Sequence, residues 1–235
     1  MVISPVYFYM NIRKDLILKT IIQEFIKTGV PVSSGVLVDK YCLDCSSATV
    51  RNEMAELEAQ GFILQPHTSA GRVPTEAAYR LYVDSLEEFV LPEGEIAQLE
   101  QLLIGKEESS FKQAAKELAS VSGLAVFWAF HRNNVYYTGL TNLLTQPEFS
   151  QPGMIYDMSA IIDHMEEIVD ELFESLPQEP AVYLGSNSPF GAFSSSVLCR
   201  YKQAGQRGVL GIIGPLRMDF GRNLALVKKI KTLIS

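Results

Sequence analysis

A helix that has to stop at Gly61, followed at once by a loop bracketed by two prolines, leaves few folds open to this chain. "SSATVRNEMAELEAQG" reads as that helix, with Ser46 as its N-cap and Gly61 suited to the left-handed position just past its end. "GFILQ" then reads as a short strand, "PHTSAGRVPT" (Pro66–Thr75) as a loop, and its last residues as a returning strand. Neither Pro66 nor Pro74 suits a central strand, because proline cannot donate to a ladder. Gly71 is expected to permit a sharp turn. Two helices precede this unit. The first is "NIRKDLILKTIIQEFIKTG", with Leu16, Ile17, Ile21, Phe25 and Thr28 as its apolar face and Gly29 as its stop. The second is a short helix capped by Ser33 or Ser34, with Val36, Leu37 and Tyr41 inward. Thr75 caps a fourth helix, "EAAYRLYVDSLEEFV", with Tyr79, Tyr82, Val83 and Leu86 on one side. Three helices and a hairpin in this order predict a winged helix-turn-helix over residues 11–84.

The third helix carries the functional signal. At 100° per residue, Val50, Met54 and Leu57 form its core stripe. The opposite side holds Ala48, Asn52, Ala55 and Ala59, flanked by Thr49 and Arg51. Exposed helix sides are ordinarily filled with Glu and Lys, so a side this slim is unusual. A helix entering a DNA major groove roughly 12 Å wide needs such a side. Asparagine pairs bidentately with adenine, arginine with guanine or phosphate, and alanine or threonine meets the thymine methyl. The expected DNA-binding residues are Asn52 and Arg51 for base readout, with Ser47 and Thr49 beside them. Arg72, His67, Thr68 and Ser69 would hold the DNA backbone from the loop. Lys40 and Arg80 would add phosphate contacts.

Composition bounds the rest. The chain has 235 residues, 47% hydrophobic and 20% charged, which suits packed cores rather than disorder. The net charge of -7 argues against a general nucleic-acid coat protein but leaves room for a local interface. Residues 11–84 hold eight Lys/Arg and nine Asp/Glu, so the acidity lies in the remainder, with twelve and eighteen. Three cysteines, an odd number, suit a reducing, cytoplasmic setting. Cys42 and Cys45 form a C-x-x-C, but no second ligand pair accompanies them, so no metal is expected. "MVISPVYFYM" has no basic leader and is too short to span a membrane; residues 1–10 read as a tail, with Met10 a second candidate start. His131, His164 and Cys199 are scattered, Ser194–Ser196 lacks a G-x-S-x-G setting, and Gly211 and Gly214 do not follow the dinucleotide fingerprint, so no enzyme and no cofactor are expected.

Residues 85–110 read as a linker helix, and residues 111–235 as a second domain. Phe111, Ala115 and Leu118 face inward on a helix that ends near Gly123. "LAVFWAF" and "VYYTGL" form a hairpin turning at His131–Asn134. "MSAIIDHMEEIVDELFESL" reads as one amphipathic helix with Ile161, Met165, Ile168, Val169 and Leu172 inward. "PAVYLG", "SSSVLCRYK" and "GVLGIIGP" are further strands, and a last helix runs from about Asp219 to Ile234. This gives a mainly antiparallel sheet with helices on one or both faces, and an α+β chain overall. In "GPLRMDFGR", Arg217 and Arg222 either hold an anionic effector or pair with acids while Met218 and Phe220 pack.

"ATVRNEMAELE", "PHTSAGRVPT" and "YRLYVD" resemble the N-terminal domain of the HrcA family of bacterial heat-inducible transcription repressors. "GLTNLLTQPEF" and "GVLGIIGPLRMDFGRNLALVKKI" resemble later segments of the same family. The resemblance implies a GAF-like second domain, an inverted-repeat operator ahead of chaperone genes, and a chaperonin partner that supports repression. It also implies further strands and an inserted dimerising region between the first helix of that GAF-like domain and "GLTNLL". Here "ELASVSGLAVFWAFHRNNVYYTGL" runs almost straight into "GLTNLL", so most of that insert is missing. Glu76-Ala77-Ala78 also lacks the family's usual glycine before the tyrosine. A homodimer is expected, since one recognition helix reads only one half-site. A GAF-like regulator that senses a small molecule, and a winged helix that binds protein instead of DNA, are the rival readings.

Overall fold

The structure is a computed structural model that describes residues 11–41, 45–67, 70–150 and 152–235. It divides into two compact units, Met1–Ser85 and Leu86–Ser235. Residues 1–10, expected as a tail, and Cys42 lie outside the described residues.

In the first unit, α1 (Ile12–Thr28) starts where the Asn11 side chain accepts from Lys14 N and ends at Gly29, φ 66°. α2 (Ser34–Tyr41) follows, with Ser33 Oγ accepting from Val36 N at 3.3 Å. α3 (Ser47–Ala59) is capped by Ser46, and Gly61 takes φ 79°. β1 (Ile63–Leu64) and β2 (Val73–Pro74) pair antiparallel, and Val32 adds a bridge to Arg72 on the other side. α4 (Glu76–Asp84) closes the unit. Its core joins Ile17, Leu18, Ile21 and Ile22 of α1, Leu37 of α2, Val50, Met54 and Leu57 of α3, Ile63 of β1, and Ala78 and Tyr79 of α4.

Two expectations are corrected here. Leu16 is 49% exposed, and Thr28 also faces out. The buried stripe of α1 is rotated to Ile17, Leu18, Ile21 and Ile22, because the helix is covered on two sides, by α3 and by α4 with β2. Pro74 ends the returning strand β2 of a two-stranded sheet and so, as expected, sits in no central strand. The ladder tolerates it because Thr75 N, one residue on, donates to Phe62 O at 2.9 Å. α4 ends at Asp84, six residues before the expected Val90.

In the second unit, α5 (Glu93–Leu102) and α6 (Glu108–Ser122) precede a five-stranded sheet. α5, expected as a linker, packs on α6 and on the last helix, with Leu99 buried. The strands are β3 (Ala125–His131), β4 (Asn134–Thr138), β5 (Ala181–Leu184), β6 (Ser194–Gln203) and β7 (Gln206–Pro215). Their order is β4-β3-β7-β6-β5, antiparallel throughout. Between β4 and β5 come α7 (Leu140–Leu144), α8 (Pro152–Asp163) and α9 (Met165–Ser175); α10 (Phe220–Ile234) ends the chain. The single amphipathic helix expected over residues 158–176 is broken at His164 into α8 and α9.

Strand alternation sends side chains to two faces. Ala125, Phe127, Ala129, Leu198, Val209 and Ile213 form one face, covered by Leu143 of α7 and by Met165, Val169, Leu172 and Phe173 of α9. The other face carries Trp128, whose ring stacks on Phe111 of α6 at 5.0 Å and whose Nε1–H donates to the Tyr201 hydroxyl at 2.8 Å. Gly211 lies across from Phe127 and Leu198, and a Cβ there would collide with both side chains. The glycine is thus the socket for the Phe127 ring. Among the described residues, no helix is long and apolar enough to cross a membrane.

Candidate nucleic-acid interface

α3 separates two kinds of surface. Val50 and Leu57 are fully buried and Met54 nearly so. On the far side Ala48, Asn52, Ala55 and Ala59 are all exposed, with Arg51 exposed beside them. Ser46 sets the helix start by accepting from Thr49 N at 3.1 Å, which brings Ser47 and Thr49, both half-buried, into the first turn. Arg51 Nη2 donates to Ser47 Oγ at 2.9 Å, so the guanidinium lies along the helix. The Asn52 amide forms no hydrogen bond with another described residue and projects from the middle of the slim side. Glu53 is buried, an unexpected position for a carboxylate, and is held by Arg13 at 2.9 Å and Lys14 at 3.7 Å. Lys14 also reaches Glu56 at 2.5 Å, and these acids raise its pKa above the ordinary lysine value. The α1–α3 contact is therefore a charge network as well as an apolar one.

The loop after β1 is fixed at its base. Gln65 Nε2 donates to Ala70 O at 3.1 Å, and Ala70 N to His67 O at 3.0 Å. His67 is exposed near the tip; Thr68 and Ser69 lie outside the described residues. Val32 and Arg72 exchange backbone hydrogen bonds at 2.9 and 2.8 Å. Gly71 is needed for that approach and not for a turn, because a Cβ on it would sit 2.5 Å from the Val32 carbonyl. The expected reason for this glycine is corrected accordingly.

The structure places the remaining cations beside acids. Arg72 donates through Nε to Glu58 Oε2 at 2.9 Å and is only 21% exposed. It ties the loop to the C-terminal part of α3 and does not reach outward. Lys40 Nζ sits 2.7 Å from both oxygens of Glu24, whose other contact is the Tyr41 hydroxyl, donating at 2.5 Å. Arg80 pairs with Glu76 one turn back on α4, with Nε 3.1 Å from Oε1. Sequence reasoning missed Glu24, Glu53 and Glu58 as partners. Each stands opposite a cation, but across elements whose packing no spacing reveals.

In the second unit the "GPLRMDFGR" arginines take the structural alternative. Arg217 donates to Glu148 and, through Nη2, to Gln146 at 3.2 Å; Arg222 bonds Glu95 at 2.8 Å. Met218 and Phe220 are buried. Cys45 is half-buried and Cys199 buried, where loss of water pushes its thiol up to about 12. Among the described residues no group of His, Cys, Asp and Glu gathers as a metal site would require.

Residues 85–223, more than half of the chain, match the HrcA protein C-terminal domain. The chain belongs to the HrcA family. The heat-inducible transcription repressor HrcA of Natranaerobius thermophilus is 28% identical over 327 aligned positions, covering 94% of this chain and 95% of that protein. An alignment of that length against 235 residues means that the relative carries a long stretch with no counterpart in this HrcA chain. The repressor of the same name from Clostridium perfringens (strain SM101) is 60% identical over 77 residues, 33% of this chain and 23% of that protein. A crystal structure of a hypothetical protein at 2.2 Å resolution superposes with a TM-score of 0.81 at 17% identity, over 96% of this chain and 98% of that one. It shows the fold alone, a mixed α+β chain with the same architecture.

Proposed function

We propose that this HrcA chain is a sequence-specific DNA-binding repressor of heat-shock genes. In this reading residues 11–84 are a winged helix-turn-helix, with α3 as recognition helix and the Gln65–Ala70 loop as wing tip, and the second unit is a reduced GAF-like domain. One observation carries the reading: the side of α3 away from its core is made of Ala48, Asn52, Ala55 and Ala59 and is open to solvent. Asn52 and Arg51 read base edges, and Ser47 and Thr49 flank them. His67, Thr68 and Ser69 contact the backbone from the wing. Arg72, Lys40 and Arg80 already hold carboxylates, so they reach DNA only by exchanging Glu58, Glu24 or Glu76 for phosphate oxygens. Such exchanges lower the gain per contact. The operator is an inverted repeat ahead of chaperone genes, bound by a homodimer, and a chaperonin supports the active state; these points rest on the family.

Replacing Asn52 with Ala is expected to cost about 1–3 kcal/mol on a selected operator and to relax discrimination at one base pair. Arg72→Ala is expected to weaken binding to all sequences alike, because the wing loses its tie to α3. DNA selected from a random pool, then titrated against both variants at several salt concentrations, provides the measurement. Unchanged operator affinity in both variants removes the assignment. Absence of any salt-dependent DNA binding favours a winged helix that binds protein.

A further inference from the structure

A cleft of about 440 Å³ opens beside the β6–β7 hairpin. The residues that line it include Arg200, Lys202 and Arg207, which share one face of the hairpin, and Lys231 of α10, with Tyr201, Gln178 and Ser235 completing the walls. At its end a main-chain oxygen of Ser235 accepts from Lys106 Nζ at 3.5 Å. Of the four cations, Lys231 has an acidic partner, Glu179 at 2.6 Å. Arg200, Lys202 and Arg207 form no ion pair with a described residue. Lys202 and Arg207 face one another across the hairpin register, an arrangement of like charges that costs stability. Arg200 is anchored, with Nη1 donating to Phe173 O at 3.1 Å, while its Nε is buried without an acceptor. This concentration of positive charge lies in the acidic part of a chain whose net charge is -7.

We propose that this cleft binds a small polyanion carrying at least two phosphate or carboxylate groups. Guanidinium forks and an ammonium spaced along a hairpin suit several anionic groups on one molecule better than a single ion. The volume falls in the range of roughly 300–1,000 Å³ usual for small-molecule sites. A bound polyanion relieves the Lys202–Arg207 repulsion and stabilises the second unit by mass action. The site is built wholly from residues of that unit, so it stands or falls apart from the DNA reading.

The test uses the full chain with pyrophosphate and citrate as probes, against sodium chloride at matched ionic strength. Binding is followed by calorimetry and by thermal unfolding read at Trp128. A saturable rise in melting temperature is expected, weakened about tenfold or more in a Lys202→Ala/Arg207→Ala double variant and unchanged in Lys116→Ala, an exposed lysine on α6. Response to pyrophosphate alone identifies a phosphorylated ligand, to citrate alone a polycarboxylate, and to both a general polyanion cleft. Failure of both probes to exceed sodium chloride overturns the proposal. So does an equal response in the double variant, or loss of DNA binding in that variant with no response to either probe.

Discussion

Gly71 shows how much a single residue can hide. Its backbone is pressed against Val32, so Gly71→Ala forces apart the bridge that anchors the loop. The expected loss is about 1–3 kcal/mol, the usual range for overpacking, measured by chemical denaturation of the first unit. In the sequence this glycine was visible as necessary, but for the wrong reason. Local spacing reveals turns; close approach between segments about forty residues apart leaves no local mark. The same limit applies to Arg72. A cation in a proline-bracketed loop reads as outward-facing until Glu58 is placed beside it. Ala48, Asn52 and Ala55 were legible because a helix sorts its own residues into sides. Leu16 against Leu18 was not, because which apolar residue is covered depends on two neighbours at once.

At the scale of elements, α1 and α2 are joined through one carboxylate. Glu24 is buried, and Lys40 first and the Tyr41 hydroxyl second hold its pKa below the ordinary value of 4.5. Tyr41 is correspondingly pushed up to about 12, its hydrogen bond to Glu24 being the main cause. A depressed folded pKa means that this contribution is complete above the unfolded value. It is then lost as pH falls below 4.5 and through the folded value. Glu24→Gln is expected to cost about 2 kcal/mol at neutral pH and to flatten the acid limb of a stability-against-pH curve. In the second unit the caps and strands were largely readable, with Gly123 ending α6 and the turn near Arg132 closing β3–β4. The break at His164 was not, since the apolar stripe runs on through Ile161 and Met165. An amphipathic pattern fixes which side is buried, not whether the axis stays straight.

For the whole molecule, the only tryptophan in the sequence, Trp128, is fully buried in the second unit. Its emission therefore reports that unit, whereas helical circular dichroism reports both. Two compact units predict that the two signals melt at different temperatures; coincident curves would mean that they unfold together. Tyr201→Phe is expected to shift the fluorescence transition by about 1–3 kcal/mol, because the buried Trp128 N–H loses its acceptor.

The strand order has a kinetic consequence. β7 lies between β3 and β6, yet it is the last strand to leave the ribosome. The apolar β3 hairpin therefore waits, without its second neighbour, until residue 215 has been synthesised, while the first unit already has every segment it needs. Such a delay exposes strand edges during translation, and it makes the nascent second unit the segment most prone to capture or aggregation when synthesis outruns folding.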